Sequence, residues 1–215
     1  MARSASILAM RIEIVVFDGF DELDAIGPFE VLRLAATEVV KDLDVGLVGE
    51  LGGGEITASY GLKLTVDGGL SGDADMVIVP GGGWNDATPD APPQGARAVV
   101  ARGVLPRRLA ELHEGGTRMG SVCTGAMLLD AAGLTKGRPA TTHCGAIDEL
   151  RAHGADIKEG YRVVDDGDLI TAGGVTSGID MALYLVEREW GERLADGIAK
   201  EMEIKRDRRV WRSHG

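Results

Sequence analysis

The run Ser121-Val122-Cys123-Thr124-Gly125 carries the strongest chemical signal in the chain. It places a cysteine between small residues two positions to either side, after an apolar stretch and before helix-forming residues. That is the form of a nucleophile elbow, a strand-to-helix turn so sharp that only small flanking side chains fit. Such a turn lifts Cys123 above the end of its strand. It also sets the sulfur at the N-terminus of the next helix, whose unpaired N–H groups favour thiolate over thiol. A lone cysteine is often only a small buried apolar side chain; here the flanking pattern favours the nucleophile.

Two further segments belong with it. Pro80-Gly81-Gly82-Gly83 follows the apolar run Met76 to Val79, and a glycine turn at a strand end can aim backbone N–H groups at an anion. The Thr124 N–H is the natural second donor of an oxyanion or thiolate cradle. The triplet matches neither a phosphate loop nor a dinucleotide fingerprint, because Trp84-Asn85 follows it. Asp24, in Leu23-Asp24-Ala25-Ile26-Gly27-Pro28, comes after the first predicted strand and near a helix start. Two roles fit it equally: a helix N-cap, or a carboxyl in a dry pocket, proton-bearing and able to hydrogen-bond a thiolate. His143 follows a strand and is within reach of such a site, whereas His113, His153 and His214 sit in exposed contexts. Cys144 lacks the small-residue pattern and reads as structural or pocket-lining, and no Cys/His spacing suggests a metal site.

Elements that would position these residues alternate along the chain. Arg11 to Phe17, Val45 to Val48, Met76 to Pro80 and Thr117 to Val122 read as strands, and Leu62 to Val66 as an edge or hairpin strand. Tyr161 to Val164 and Leu169 to Ala172 flank Asp165-Asp166-Gly167-Asp168, a hairpin signal. Helices are expected with Pro28 in the first turn of one, from Ala96 to Glu114 with a restart at Pro106, from Thr124 to Ala132, around Ile147 to Arg151, from Gly174 to Trp190, and from Glu192 to Lys205. The segment from Trp84 to Gly95 reads as a loop or lid. Strands alternating with helices imply an α/β domain with a mostly parallel sheet covered on both faces.

Composition bounds the function. At 215 residues, with 44% hydrophobic and 27% charged residues, the chain suits one domain with its own core. A net charge of −11 argues against nucleic acid or an anionic membrane as partner. Two cysteines fit a reducing compartment, no stretch approaches the ~18 apolar residues of a membrane span, and a cytoplasmic location is expected. The expected organisation is an extension at 1–10 (Met10 being an alternative start), a domain at 11–205, and a basic tail at 206–215.

Five motifs occur in a set order: Asp24 with Gly27-Pro28, Val79-Pro80-Gly81-Gly82, Val122-Cys123-Thr124-Gly125, Ala140-Thr141-Thr142-His143, and Gly173-Gly174-Val175-Thr176-Ser177-Gly178-Ile179-Asp180. Together they resemble the ThiJ/PfpI superfamily, from Arg11 to about Lys205. The resemblance implies a flavodoxin-like, class I glutamine-amidotransferase-like three-layer sandwich and a homodimer. The peptidase-like branch usually has His directly after the cysteine and Glu as the acid; Thr124 and Asp24 stand there instead. That combination is similar to isocyanide (isonitrile) hydratases, which add water to R–N≡C to give an N-substituted formamide. It also occurs in the sensor domains of AraC-type regulators, whose helix-turn-helix domain is not expected within these residues. The segment after Glu201 departs from the hydratase pattern.

The resemblance implies roles for individual residues. Cys123 would be the nucleophile and Asp24 the proton donor and acceptor. The Thr124 hydroxyl would order water or Asp24, while the Gly82 and Thr124 N–H groups stabilise developing charge. Trp84, His143, Thr176 and Ile179 would line a pocket for a small electrophile, with no metal or cofactor. Rival readings use the same cysteine: a glyoxalase or deglycase acting on 2-oxoaldehydes, a non-catalytic redox or stress sensor, and a ligand-sensing AraC-type module. A peptidase or amidase is disfavoured by the absence of the adjacent histidine.

Overall fold

The apolar runs read as strands at Arg11 to Phe17, Met76 to Pro80, Thr117 to Val122 and Leu169 to Ala172 become neighbours in one sheet. A computed structural model describes residues 10–38, 40–85 and 92–213. The N-terminal extension up to residue 9, positions 86–91 of the expected lid, and residues 214 and 215 lie outside the described residues. In chain order the elements are β1 (Met10–Val16), α1 (Glu22–Glu38), β2 (Leu43–Gly49), β3 (Gly54–Thr57), β4 (Lys63–Val66), β5 (Met76–Val79), α2 (Gly95–Arg102), α3 (Val104–Glu114), β6 (Arg118–Val122) and α4 (Gly125–Ala131). They continue with β7 (Pro139–Ala140), α5 (Ile147–Ala152), β8 (Asp156–Ile157), β9 (Val163–Asp165), β10 (Leu169–Ala172), α6 (Ser177–Trp190), α7 (Glu192–Glu201) and β11 (Val210–Arg212).

The main sheet has seven strands in the order β11-β9-β10-β6-β5-β1-β2. All its pairings are parallel except β9 with β10. Every residue of β5 and β10 is buried, as apolar strands covered on both faces must be. Helices α1, α6 and α7 pack together, and α2, α3 and α4 pack with one another, giving the three layers of a flavodoxin-like fold. The chain leaves β1 toward β2 and then returns to the other side of β1 to form β5. That reversal is a topological switch point, and it opens a crevice at the carboxyl ends of β1 and β5.

Several boundaries differ from the sequence expectation, each for a local reason. Helix α1 begins at Glu22, so Pro28 lies inside it rather than in its first turn. Having no N–H, Pro28 cannot serve the carbonyl four residues back, which is that of Asp24. The break between α2 and α3 falls at Gly103 (φ 68°), whose N–H closes α2 on the Val99 and Val100 carbonyls. Pro106 sits in the first turn of α3, where a missing N–H costs nothing. Leu105, Leu109 and Leu112 then form the buried stripe of α3. The predicted strand at Leu62 to Val66 is β4, hairpin partner of β3. Ala140 belongs to a short parallel pair, β7 with β8, outside the main sheet. Residues 206–213, read from sequence as a tail, include β11, which pairs with β9.

Candidate active site

Four loops meet at the crevice, each leaving the carboxyl end of a parallel strand: β1 delivers Asp24, β5 delivers Gly81 and Gly82, β6 delivers Cys123, and β10 delivers Val175. The elbow itself is strained. Cys123 has φ 57°, a left-handed conformation that costs an L-residue roughly 1–2 kcal/mol. Two hydrogen bonds from its N–H hold it there, to the carbonyls of Ala172 (3.1 Å) and Gly173 (2.9 Å). The Thr142 hydroxyl secures the Cys123 carbonyl at 2.8 Å. Glycine is obligatory on both sides of the crevice. A Cβ on Gly125 would fall 2.0 Å from the Val79 carbonyl oxygen, and one on Gly81 would fall 2.4 Å from Thr124 Oγ1. The turn after β5 therefore lies directly against the elbow.

Asp24 is fully buried and stands in the first turn of α1. The capping oxygen of that helix belongs to Asp21, whose Oδ1 accepts from the Leu23 N–H at 3.2 Å. Asp24 instead turns away from its helix. Its Oδ2 accepts the Gly81 N–H at 3.0 Å. Oδ1 is shielded from water with no N–H or O–H partner among the described residues, and it belongs to a carboxyl that faces the Cys123 thiol.

The two groups titrate as a pair. Burial, and then the charge of Asp21, push Asp24 up to about 7, against the pull of the Gly81 N–H and the Cys123 S–H. Burial, and then the Asp24 charge, push the Cys123 thiol up to about 12, while the Thr124 and Val175 N–H groups pull it down. The helix N-terminus expected to favour the thiolate is thus outweighed. Helix α4 is only seven residues long, and the sulfur is buried beside a carboxylate. Between about pH 7 and about pH 12 the pair holds one proton, which at rest lies on sulfur.

The structure brings Cys123, Asp24, Thr124 and the Gly81-Gly82 turn together, with one change of partner. The Gly82 N–H donates to Thr124 Oγ1 at 3.1 Å, so it acts on the site through that hydroxyl. The donors directed at sulfur are the Thr124 and Val175 N–H groups. Val175 escaped sequence reasoning because a backbone donor has no side-chain signature; the Gly173-Gly174 pair ahead of it was the available sign of an unusual turn. It too is strained, a β-branched residue at φ 37°.

The other predicted residues have separate engagements. His143 Nδ1 accepts the Gly145 N–H at 3.0 Å and lies 3.0 Å from the Asn85 amide. It lines a cavity of about 640 Å³ beside the elbow, with Thr142, Cys144, Tyr161, Arg162 and Val175, a volume suited to a small molecule. Trp84 is buried; its Nε1 donates to Glu149 at 2.8 Å, and the Arg97 guanidinium stacks 4.2 Å from its ring. Thr176 is exposed and accepts from Arg162 at 2.9 Å. Ile179 packs α6 on α1, where a Cβ on Gly27 would lie 3.0 Å from its Cγ1. Among the described residues no group of three or more His, Cys, Asp or Glu side chains is arranged to hold a metal ion. No described helix is long and apolar enough to cross a membrane.

The fold and site define a flavodoxin-like α/β protein with a buried cysteine on a strained strand-to-helix turn. The chain belongs to the DJ-1/PfpI family, whose sequence pattern matches residues 10–188. It is 34% identical to an isonitrile hydratase of Pseudomonas putida over 91% of this chain and 79% of that protein. It is 29% identical to the HTH-type transcriptional regulator CdhR of Pseudomonas aeruginosa over 90% of this chain, and spans 55% of the regulator. Among solved structures, a THiJ/PfpI family protein from Pseudomonas syringae superposes with a TM-score of 0.77 at 26% identity, over 94% of this chain and 79% of that one. Drosophila melanogaster DJ-1beta gives 0.76 at 22%, over 92% and 99%.

Proposed function

We propose that the chain hydrates an isocyanide through a covalent adduct on Cys123. The observation that carries this reading is the buried Asp24 carboxyl, tied by one oxygen to Gly81 and facing the thiol with the other unpartnered. It is a proton store set against a nucleophile and shielded from bulk solvent. The similarity to the Pseudomonas putida isonitrile hydratase supports the substrate class.

In the reacting form the single proton of the pair moves to Asp24, and the negative charge on sulfur is held by the Thr124 and Val175 N–H groups. The sulfur forms a bond to the terminal carbon of R–N≡C while Asp24 delivers its proton to that carbon, giving the thioimidate R–N=CH–S–Cys123. Water then adds to the same carbon, one of its protons passing to nitrogen through Asp24. The C–S bond breaks, R–NH–CHO leaves, and the second water proton returns to the pair. Substrate and water together supply every atom of the product. The Thr124 hydroxyl accepts from Gly82, and its own O–H is free to orient the water.

The test is turnover of an alkyl isocyanide to the formamide by purified protein. Cys123→Ala is expected to abolish it, and Asp24→Asn to lower kcat/KM by about 10²–10⁴-fold, the usual share of a general acid. A Cys123→Ala protein that still makes formamide sinks the covalent mechanism; a wild type inert to isocyanides but active on methylglyoxal sinks the substrate class. Similarity to CdhR favours a second reading, a ligand-sensing module; it predicts that Cys123→Ala still binds ligand with unchanged affinity.

A further inference from the structure

Asp21 is a carboxyl beside the crevice to which the chemistry above gives no part. Its backbone N–H donates to the Gly81 carbonyl at 2.9 Å, while the Gly81 N–H donates to Asp24 Oδ2 at 3.0 Å. Two aspartates three residues apart thus grip a single glycine by its two polar groups. The Asp21 carboxylate is fixed as well, because it accepts from the Leu23 N–H and from the Asp24 N–H. Because the Asp21 carboxylate caps α1 on the N–H of Asp24 itself, the two carboxyls are neighbours. Other titratable groups face them from the surrounding elements. Glu22, on α1 itself, accepts from the Tyr60 and Leu62 N–H groups. His143 approaches Asp21 from the loop ahead of α5, and Cys123 approaches Asp24 from the elbow.

We propose that Asp21 is a positioning residue of the site: clamped with Asp24 onto Gly81, its negative charge shifts the shared proton of the pair toward Asp24 and so enlarges the share of pairs that carry the charge on the Cys123 sulfur. The inference rests on the reading of Asp24 as proton donor given above. The physical reason is like-charge repulsion. Neighbouring carboxylates do not both ionise cheaply; burial raises Asp21 as well, but, only half-buried and capping a helix through two backbone N–H groups, it is the one better supplied with donors to its charged form. Asp24 has one N–H and a thiol. After burial, the Asp21 charge is the largest influence raising Asp24.

The experiment needs no isocyanide. The rate at which iodoacetamide alkylates Cys123 is followed against pH, by mass spectrometry of the Cys123 peptide so that the exposed Cys144 does not interfere. In the wild type the rate rises as the pair loses its first proton and then levels off, at a height set by the share of pairs carrying the charge on sulfur. Asp21→Asn and Asp21→Ser keep an acceptor for the helix cap but remove the charge. Both are expected to move the midpoint down by about 0.5–1.5 pH units and to lower the plateau by about 3- to 30-fold, while Asp21→Glu restores the wild-type curve. A merely structural Asp21 would move neither number. Asp24→Asn should erase this limb, leaving a thiol that titrates alone at higher pH. If the Asp21 variants superimpose on the wild type while Asp24→Asn loses the limb, the role of Asp21 is overturned and Asp24 stands. If the limb survives Asp24→Asn, the reading of Asp24 falls, and that of Asp21 with it.

Discussion

Cys123 and Asp24 cannot be assigned protons independently, and that coupling has consequences beyond catalysis. Asp24 rises from 3.8 to about 7 on folding, so between those values the native state binds a proton that the unfolded chain has lost. Linkage then fixes the sign: stability is greatest at the acid end of this window and falls as pH rises through it, levelling above pH 7. The expected loss is on the order of 4 kcal/mol over the whole window, of which roughly 2–3 kcal/mol falls between pH 5 and pH 8. Urea unfolding at intervals from pH 5 to pH 8 measures it, and Asp24→Asn should flatten the slope. A wild-type slope of the opposite sign would mean that the buried carboxyl is ionised throughout, which leaves no acid for the proposed reaction. Activity runs the other way, with kcat/KM expected to climb through about pH 7 as the pair sheds its first proton. This site is therefore built at the expense of stability. Such an arrangement was only half legible in the sequence. The elbow residues announced Cys123, but Asp24 looked equally like a helix cap until α1 was seen to start two residues before it, with Asp21 as the cap.

At the scale of elements, glycines decide how near the strands and helices can come, and they are not equivalent. Gly125 faces backbone: a Cβ there would meet the Val79 carbonyl oxygen at 2.0 Å, and the strand of Val79 cannot retreat from the centre of the sheet. Gly27 faces a side chain, with Ile179 Cγ1 at 3.0 Å from its Cβ position, and that chain can turn to another rotamer. Gly125→Ala is accordingly expected to cost more than about 3 kcal/mol and to abolish activity, and Gly27→Ala to cost about 1 kcal/mol with most activity kept. Denaturant midpoints and isocyanide turnover of the two variants check the ranking; equal costs would show that the turn after β5 does not bear on the elbow. The same distinction explains what the sequence revealed. Long apolar runs such as Met76 to Val79 signal their strands directly, and Gly173-Gly174 marked a turn. Two- and three-residue strands such as β8 and β11 have too few side chains to show a period. The break at Gly103 was misplaced onto Pro106 because proline looks disruptive, yet a helix tolerates it in its first turn.

For the molecule as a whole, the basic segment after Lys205 shows how an acidic chain closes its fold. The net charge is −11, and α6 and α7 together carry six carboxylates against three cations. Arg206 is nearly buried between Glu187 and Asp196, and Arg208 reaches Glu192 and Asp196. Cation–π contacts continue the seam, Lys158 lying over Trp211 at 4.6 Å and Arg212 over Tyr184 at 5.2 Å. Charge made the segment look solvated in the sequence, where the acids it meets are distant. The seam also reaches the site: the Asp207 N–H donates to Asp180 Oδ1 at 3.2 Å, and Asp180 Oδ2 accepts from Arg162, a wall of the cavity, at 2.7 Å. Removing a cation nearly buried between carboxylates leaves them uncompensated, whereas an exposed pair contributes little. Arg206→Met is therefore expected to destabilise the domain by about 2–4 kcal/mol, whereas Arg209→Ala, which loses only an exposed contact to Asp207, is expected to leave the urea midpoint nearly unchanged. Truncation after Lys205 should exceed both and raise KM, because β9 loses its outer partner and the Arg162 wall its tether. Urea midpoints and KM measured side by side decide the matter: a truncated chain as stable and as active as the full one would show that β11 and its arginines only decorate the sheet.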